Sequence, residues 1–160
     1  MSDGTLGRDA DPGAFEPDRA VDEMLAPVAR ALEVVGAGDD AFSLVSIDGR
    51  QGIVRVHRVG ALAPSVKAMY RRVAPPGAPV LFVDSVLTAG QRRRLTELVS
   101  EEEGWLLSHG VKLEAWNGDE GGGYFIMHSG PGDVTDEIRQ RFELYGPGTI
   151  RFERGRTISL

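Results

Sequence analysis

Apolar periodicity and turn signals spell one order of elements twice along this chain: helix, strand, strand, helix, strand, then the same five again. Each unit of that kind has one face of its strands to bury and two helices to bury it with. The repeat therefore restricts the fold to helices packed on small sheets.

In the first unit, Val21, Leu25, Val28, Leu32 and Val35 recur at three- and four-residue steps, predicting a helix over about residues 18–35. Pro27 lies inside it, which implies a kink or a late start. Residues 42–47 and 53–59 are rich in β-branched side chains around Asp48-Gly49, the signature of a hairpin. A helix over residues 64–73 stops at Pro75-Pro76-Gly77, and residues 80–83 read as a buried strand. The second unit predicts a helix over 88–108, a hairpin of 111–116 and 124–128 turning at Asn117-Gly118, a helix over 134–145 and a strand over 149–153. Ile47-Asp48-Gly49 answers Trp116-Asn117-Gly118, His57 answers His128, Tyr70 answers Phe142, and Phe82 answers Phe152. Pro75-Pro76-Gly77 likewise answers Gly146-Pro147-Gly148, at an offset of about 70 residues. The expected fold is α+β, a tandem duplication of an α-β-β-α-β unit with mainly antiparallel sheets. The expected division is a disordered leader over residues 1–17, a first unit over 18–86 and a second over 87–160.

Strand alternation assigns faces. In the second hairpin Leu113, Ala115, Phe125 and Met127 are assigned to the helices, leaving Lys112, Glu114, Trp116, Tyr124, Ile126 and His128 outside. In the first, Phe42, Leu44, Val54 and Val56 are assigned inward, with Val45, Ile47, Ile53, Arg55 and His57 outward. Each outer face is then half apolar, more than a solvated sheet needs. Either the two outer faces cover each other or the two sheets join edge to edge, so that the patch is internal, or the faces dock a partner.

The second unit resembles the pro-regions of bacterial serine proteases of the α-lytic protease and streptogrisin type. The matching residues are Leu95, Leu98, Gly110-Val111, Trp116, Tyr145-Gly146 and Ile150. Pro-regions of that family act as folding chaperones and inhibitors of their protease. The resemblance implies a fold that presents sheet surface or edge to another protein. KH-type RNA-binding domains share the element order but need a Gly-x-x-Gly loop between two helices, and Gly146-Pro147-Gly148 leads into a strand instead.

The remaining signals bound the chemistry. A formal net charge of −6 argues against a sequence-blind grip on nucleic acid. The absence of cysteine removes disulfides, thiolate chemistry and Cys-based zinc sites, and fits a cytoplasmic protein. No run of apolar residues is long enough to span a bilayer. Arg92-Arg93-Arg94 and Arg71-Arg72 read as solvated helix faces, Asp119 and Glu120 as solvated tip residues, and His109 as a helix-end imidazole. Gly121-Gly122-Gly123 precedes a strand rather than a helix, so it is no phosphate cradle, and Asp133 is the expected cap of the following helix. Ser43, Ser46, Ser65, Ser85 and Ser100 lack a Gly-x-Ser-x-Gly context. No catalytic residue, metal or cofactor is expected.

The leading expectation is a non-enzymatic protein-interaction module binding another protein or a second copy of itself. Trp116, Tyr124 and Ile126 would anchor the contact, and Ile47 and Ile53 would extend or cover it. The alternative is a small hydrolase or transferase whose site lies between the two units and uses His57 and His128.

Overall fold

The computed structural model describes residues 16–119 and 121–155. The leader expected over residues 1–17 lies, but for its last two positions, outside the described residues, as does Glu120. The first unit runs α1 (Glu16–Gly36), β1 (Phe42–Asp48), β2 (Ile53–Arg58), α2 (Pro64–Arg71) and β3 (Val80–Asp84). The second runs α3 (Ala89–Ser108), β4 (Lys112–Gly118), β5 (Tyr124–Ser129), α4 (Asp136–Phe142) and β6 (Ile150–Arg154). Helix α1 continues through Pro27 without stopping. Thr88 opens α3 with a capping box: its hydroxyl accepts from Gln91 N at 3.1 Å, and Gln91 Oε1 accepts from Thr88 N at 2.9 Å. The cap of α4 is Thr135, not Asp133, which pairs with Arg154 at 3.1 Å instead.

Each unit forms its own three-stranded sheet, ordered β1-β2-β3 and β4-β5-β6. The sheets are mixed rather than mainly antiparallel: each hairpin is antiparallel, whereas β3 runs parallel to β2 and β6 parallel to β5. The helix inside each unit is the cause. A strand–helix–strand crossover returns the chain at the same end of the sheet, which makes the closing pair parallel.

The two units superimpose in pairing as well as in element order. Val54 faces Val80, and Tyr124 faces Ile150, at the start of each parallel pair. Tyr70 meets Phe82 edge to face at 6.0 Å, and Phe142 meets Phe152 the same way at 6.1 Å. Each hairpin also carries an irregularity at the same place, between Phe42 and Leu44 in β1 and between Leu113 and Ala115 in β4.

Those irregularities decide the faces. An extra residue in a strand moves every following side chain to the opposite side. Beyond the bulge Val45 and Ile47 therefore join Val54, Val56, Val80 and Phe82 on the side that packs against α1 and α2. In the second sheet Leu113 and Trp116 share the helix side with Tyr124, Ile126, Ile150 and Phe152. The expected outer patch is thus corrected. Tyr124 and Ile126 are 1% and 0% exposed in the core of the second unit, and Trp116 packs against that core. Ile47 packs against the core of the first unit, and of the five expected anchors Ile53 alone lies on the side away from its helices. Leu44 moves outward with it, and Phe125 and Met127, expected inside, take the outer side of β5.

Candidate functional site, a cleft between the two units

The units meet at a joint built from small residues. Ser85, just past β3, places its hydroxyl 2.9 Å from Ser43 Oγ, to which it donates, and 3.1 Å from Leu87 O. Leu87 N in turn donates to Gly122 O at 3.0 Å, and Leu87 is fully buried in the second core. A Cβ at Gly122, whose φ is +84°, would lie 1.8 Å from Ser85 Oγ, so this position admits only glycine on two counts. The glycine-rich tip of the second hairpin is therefore the seam between the units rather than a loose turn. Asp119 braces it by accepting from Gly123 N at 2.8 Å.

Ser43 is the extra residue of the β1 bulge, and Arg92 Nη2 donates to its carbonyl. Arg92 reaches across from α3 past Gly118, where a Cβ would crowd its Cδ at 2.8 Å. Above this contact lies an open cleft of about 1090 Å³. One wall is the outer face of the first sheet, with Leu44 and Ser46 on β1, Arg55 and His57 on β2, and Val83 on β3. The opposite wall is Ala89, Arg92, Arg93 and Thr96 of α3. Their spacing is i, i+3, i+4, i+7, which gathers them on one side of a helix. The β1–β2 turn and the end of β4, with Asn117, Gly118 and Asp119, close the ends.

The arginine run of α3 is thus divided. Arg92 and Arg93 line the cleft, while Arg94 turns away to Glu97 at 3.4 Å and Glu101 at 3.3 Å. Arg50, Arg55, Arg92 and Arg93 face Asp22, Asp48 and Asp119 around the cleft, leaving one positive charge in excess when His57 is neutral. Asp48 is tied to Arg55 at 3.2 Å. Burial pushes the Arg92 pKa down and the nearby Asp119 carboxylate pushes it back up, but a guanidinium stays charged at any physiological pH.

His57 is 6% exposed, and its Nε2 lies 2.9 Å from Ser46 Oγ. Its Nδ1 is buried without a hydrogen-bond partner among the described residues. Burial, then the charges of Arg55 and Arg92, hold its pKa below the ordinary histidine value, so the ring is neutral at pH 7.

His128 does not line this cleft. The pairing shows why: His57 occupies the place of Met127, and His128 that of Arg58, so the two histidines are not equivalent. His128 is buried on the helix side of the second sheet, and its pKa is lowered by burial and then by Arg154 and Arg139. Of the two histidines that the alternative expectation placed between the units, His57 alone lines the cleft, beside Ser46. Tyr124 contributes from behind the wall, its hydroxyl 2.8 Å from Thr96 Oγ1. His109 donates from Nδ1 to Trp105 O at 2.9 Å at the end of α3.

Ser46, Arg92, Thr96 and Asn117 were not singled out as a group by their sequence context. The available signal was the i, i+3, i+4, i+7 stripe of α3, which carries two arginines and a threonine where a solvated face would look the same. Among the described residues no group of three His, Asp or Glu side chains is placed to hold a metal ion, and no helix is long and apolar enough to cross a membrane. No protein-family model matches the chain, and no curated protein matches it significantly.

Proposed function

We propose that the protein binds a small molecule bearing a phosphate or carboxylate in the cleft between its two units. The observation that carries this reading is the partly buried Arg92, held at the cleft wall among convergent polar groups. Ligand sites favour such seams between packed units, where concavity and a few fixed polar groups coincide. Arginine is the side chain whose planar donor array best matches an oxyanion.

The test is a titration of the ¹⁵N-labelled protein with inorganic phosphate. Shifts should concentrate at Ser46, Thr96, Asn117 and the Arg93 region, saturating in the millimolar range. Arg93 lines the cleft from an exposed position, so Arg93→Ala should weaken binding about tenfold without unfolding the protein. No shift up to about 10 mM phosphate would remove the reading.

A second reading, contact with another protein through a sheet face, is supported by Ala115, Phe125 and Met127. These lie on the side of the second sheet away from its helices, and none is fully buried. A pro-region-like role would use the same surface or the free side of β4 or β6. With a second copy as partner, light scattering should give a dimer that Phe125→Glu splits. A monomer at all concentrations would remove self-association.

A further inference from the structure

We propose that Ser46 is the nucleophile of a Ser46–His57 pair that hydrolyses small esters carrying an anionic group. This rests on the reading of the cleft as an anion-binding site, and adds to it a reaction.

Three features of the wall support the pair. First, Ser46 Oγ lies 2.9 Å from His57 Nε2, within reach of a direct proton transfer. Second, both side chains stand on neighbouring strands of one sheet and line the same cleft, so their relation is set by backbone pairing rather than by a loop. Third, the buried ring is in the neutral form that a general base requires. With the ring proton on Nδ1, Nε2 accepts from the Ser46 hydroxyl. Among the described residues no carboxylate meets Nδ1 to fix that tautomer, and the expected catalysis is correspondingly slower than that of a Ser-His-Asp triad.

The reaction balances with water as the second substrate. Ser46 Oγ bonds to the ester carbonyl carbon as its proton passes to His57 Nε2. The carbonyl re-forms, the ester C–O bond breaks, and the proton leaves with the alcohol. Water, deprotonated by the same nitrogen, then attacks the acyl carbon; the bond from that carbon to Ser46 Oγ breaks, the carboxylic acid leaves, and the proton passes from Nε2 back to Oγ.

The charges around the ring set the selectivity. Arg55 and Arg92 disfavour an imidazolium while the cleft is empty. An anionic group held against those arginines offsets their field, which strengthens His57 as a base only when a charged substrate is present. The nearby Asp48 and Asp119 carboxylates act in the same direction on the arginines but are already engaged. A neutral ester lacks this effect.

The full-length chain should therefore react with a fluorophosphonate to give a single adduct, mapped to Ser46 by peptide mass spectrometry. Ser46→Ala should abolish the adduct, and His57→Gln should slow it by about 100-fold while leaving the circular dichroism spectrum unchanged. The rate should rise with pH through the His57 titration, a dependence absent in His57→Gln. Hydrolysis of 4-nitrophenyl hemisuccinate should exceed that of 4-nitrophenyl acetate. No adduct in the wild-type chain, or an adduct that survives Ser46→Ala, overturns the proposal. The phosphate titration separates the two readings: binding without an adduct removes the nucleophile alone, whereas neither binding nor adduct removes both.

Discussion

Asp39→Ala should cost about 3 kcal/mol, lowering the thermal midpoint by roughly 10 °C. Asp39 lies between α1 and β1, with its side chain 8% exposed. Its carboxylate accepts from Arg58 Nε at 2.7 Å, from Arg58 Nη2 at 3.1 Å, from the Tyr70 hydroxyl at 2.6 Å and from Ala41 N at 3.2 Å. One side chain thus ties the helix–strand connection to the end of β2 and to α2. Removing it takes the acceptor from the Tyr70 phenol and from Nε and Nη2 of Arg58 in a largely buried place, which costs more than the bonds are worth on balance. Burial pushes the Tyr70 pKa up, and the adjacent carboxylate pushes it further, so the phenol remains a donor across the accessible range.

The pH dependence follows from the Asp39 carboxyl. Burial alone would raise its pKa, but the bonds from Arg58, Tyr70 and Ala41 outweigh that and hold it below the ordinary aspartate value. A depressed folded pKa contributes stability that is complete above the unfolded pKa of about 3.9 and lost as pH falls through the lower folded value. The stability gap between wild type and Asp39→Asn, from urea unfolding, should stay constant between about pH 7 and 5. It should narrow below about pH 4. A gap that does not change with pH would mean that the carboxylate charge is irrelevant there.

The second large effect lies on β5, where neighbouring positions should behave oppositely. Ile126 is 0% exposed in the second core, so Ile126→Ala should cost about 3 to 4 kcal/mol. Phe125, the larger side chain, occupies the outer side of the sheet, and Phe125→Ala should cost only about 1 kcal/mol. Denaturant midpoints of the two variants decide the matter. If Phe125 proves the costly position, the face that binds the helices has been assigned the wrong way round.

That contrast marks where local pattern stops being informative. Strand β5 reads Tyr-Phe-Ile-Met-His, apolar on both sides, and alternation then gives the period without the phase. In β1 and β4 the phase changes within the strand, because Ser43 and Glu114 fall where each ladder slips. Neither residue announces a bulge. The matching of His57 with His128 failed for a related reason. Two similar letters near the ends of two hairpins lie one register position apart, and one position is a change of face.

The element order, the two similar units, the apolar stripe of α1, the start of α3 near Thr88 and the aromatic correspondence of Tyr70 with Phe142 were all determined by sequence alone. They depend on neighbours within a few turns of helix or along one strand, where periodicity and turn chemistry act directly. Tertiary structure decided which side of each sheet the helices cover, that Gly122 seats against Ser85, and that Arg92 and Arg93 of one unit face Ser46 and His57 of the other. Those outcomes turn on contacts between residues far apart in the chain, and the free energy that selects them comes from burying one apolar face rather than another, a choice no local pattern contains.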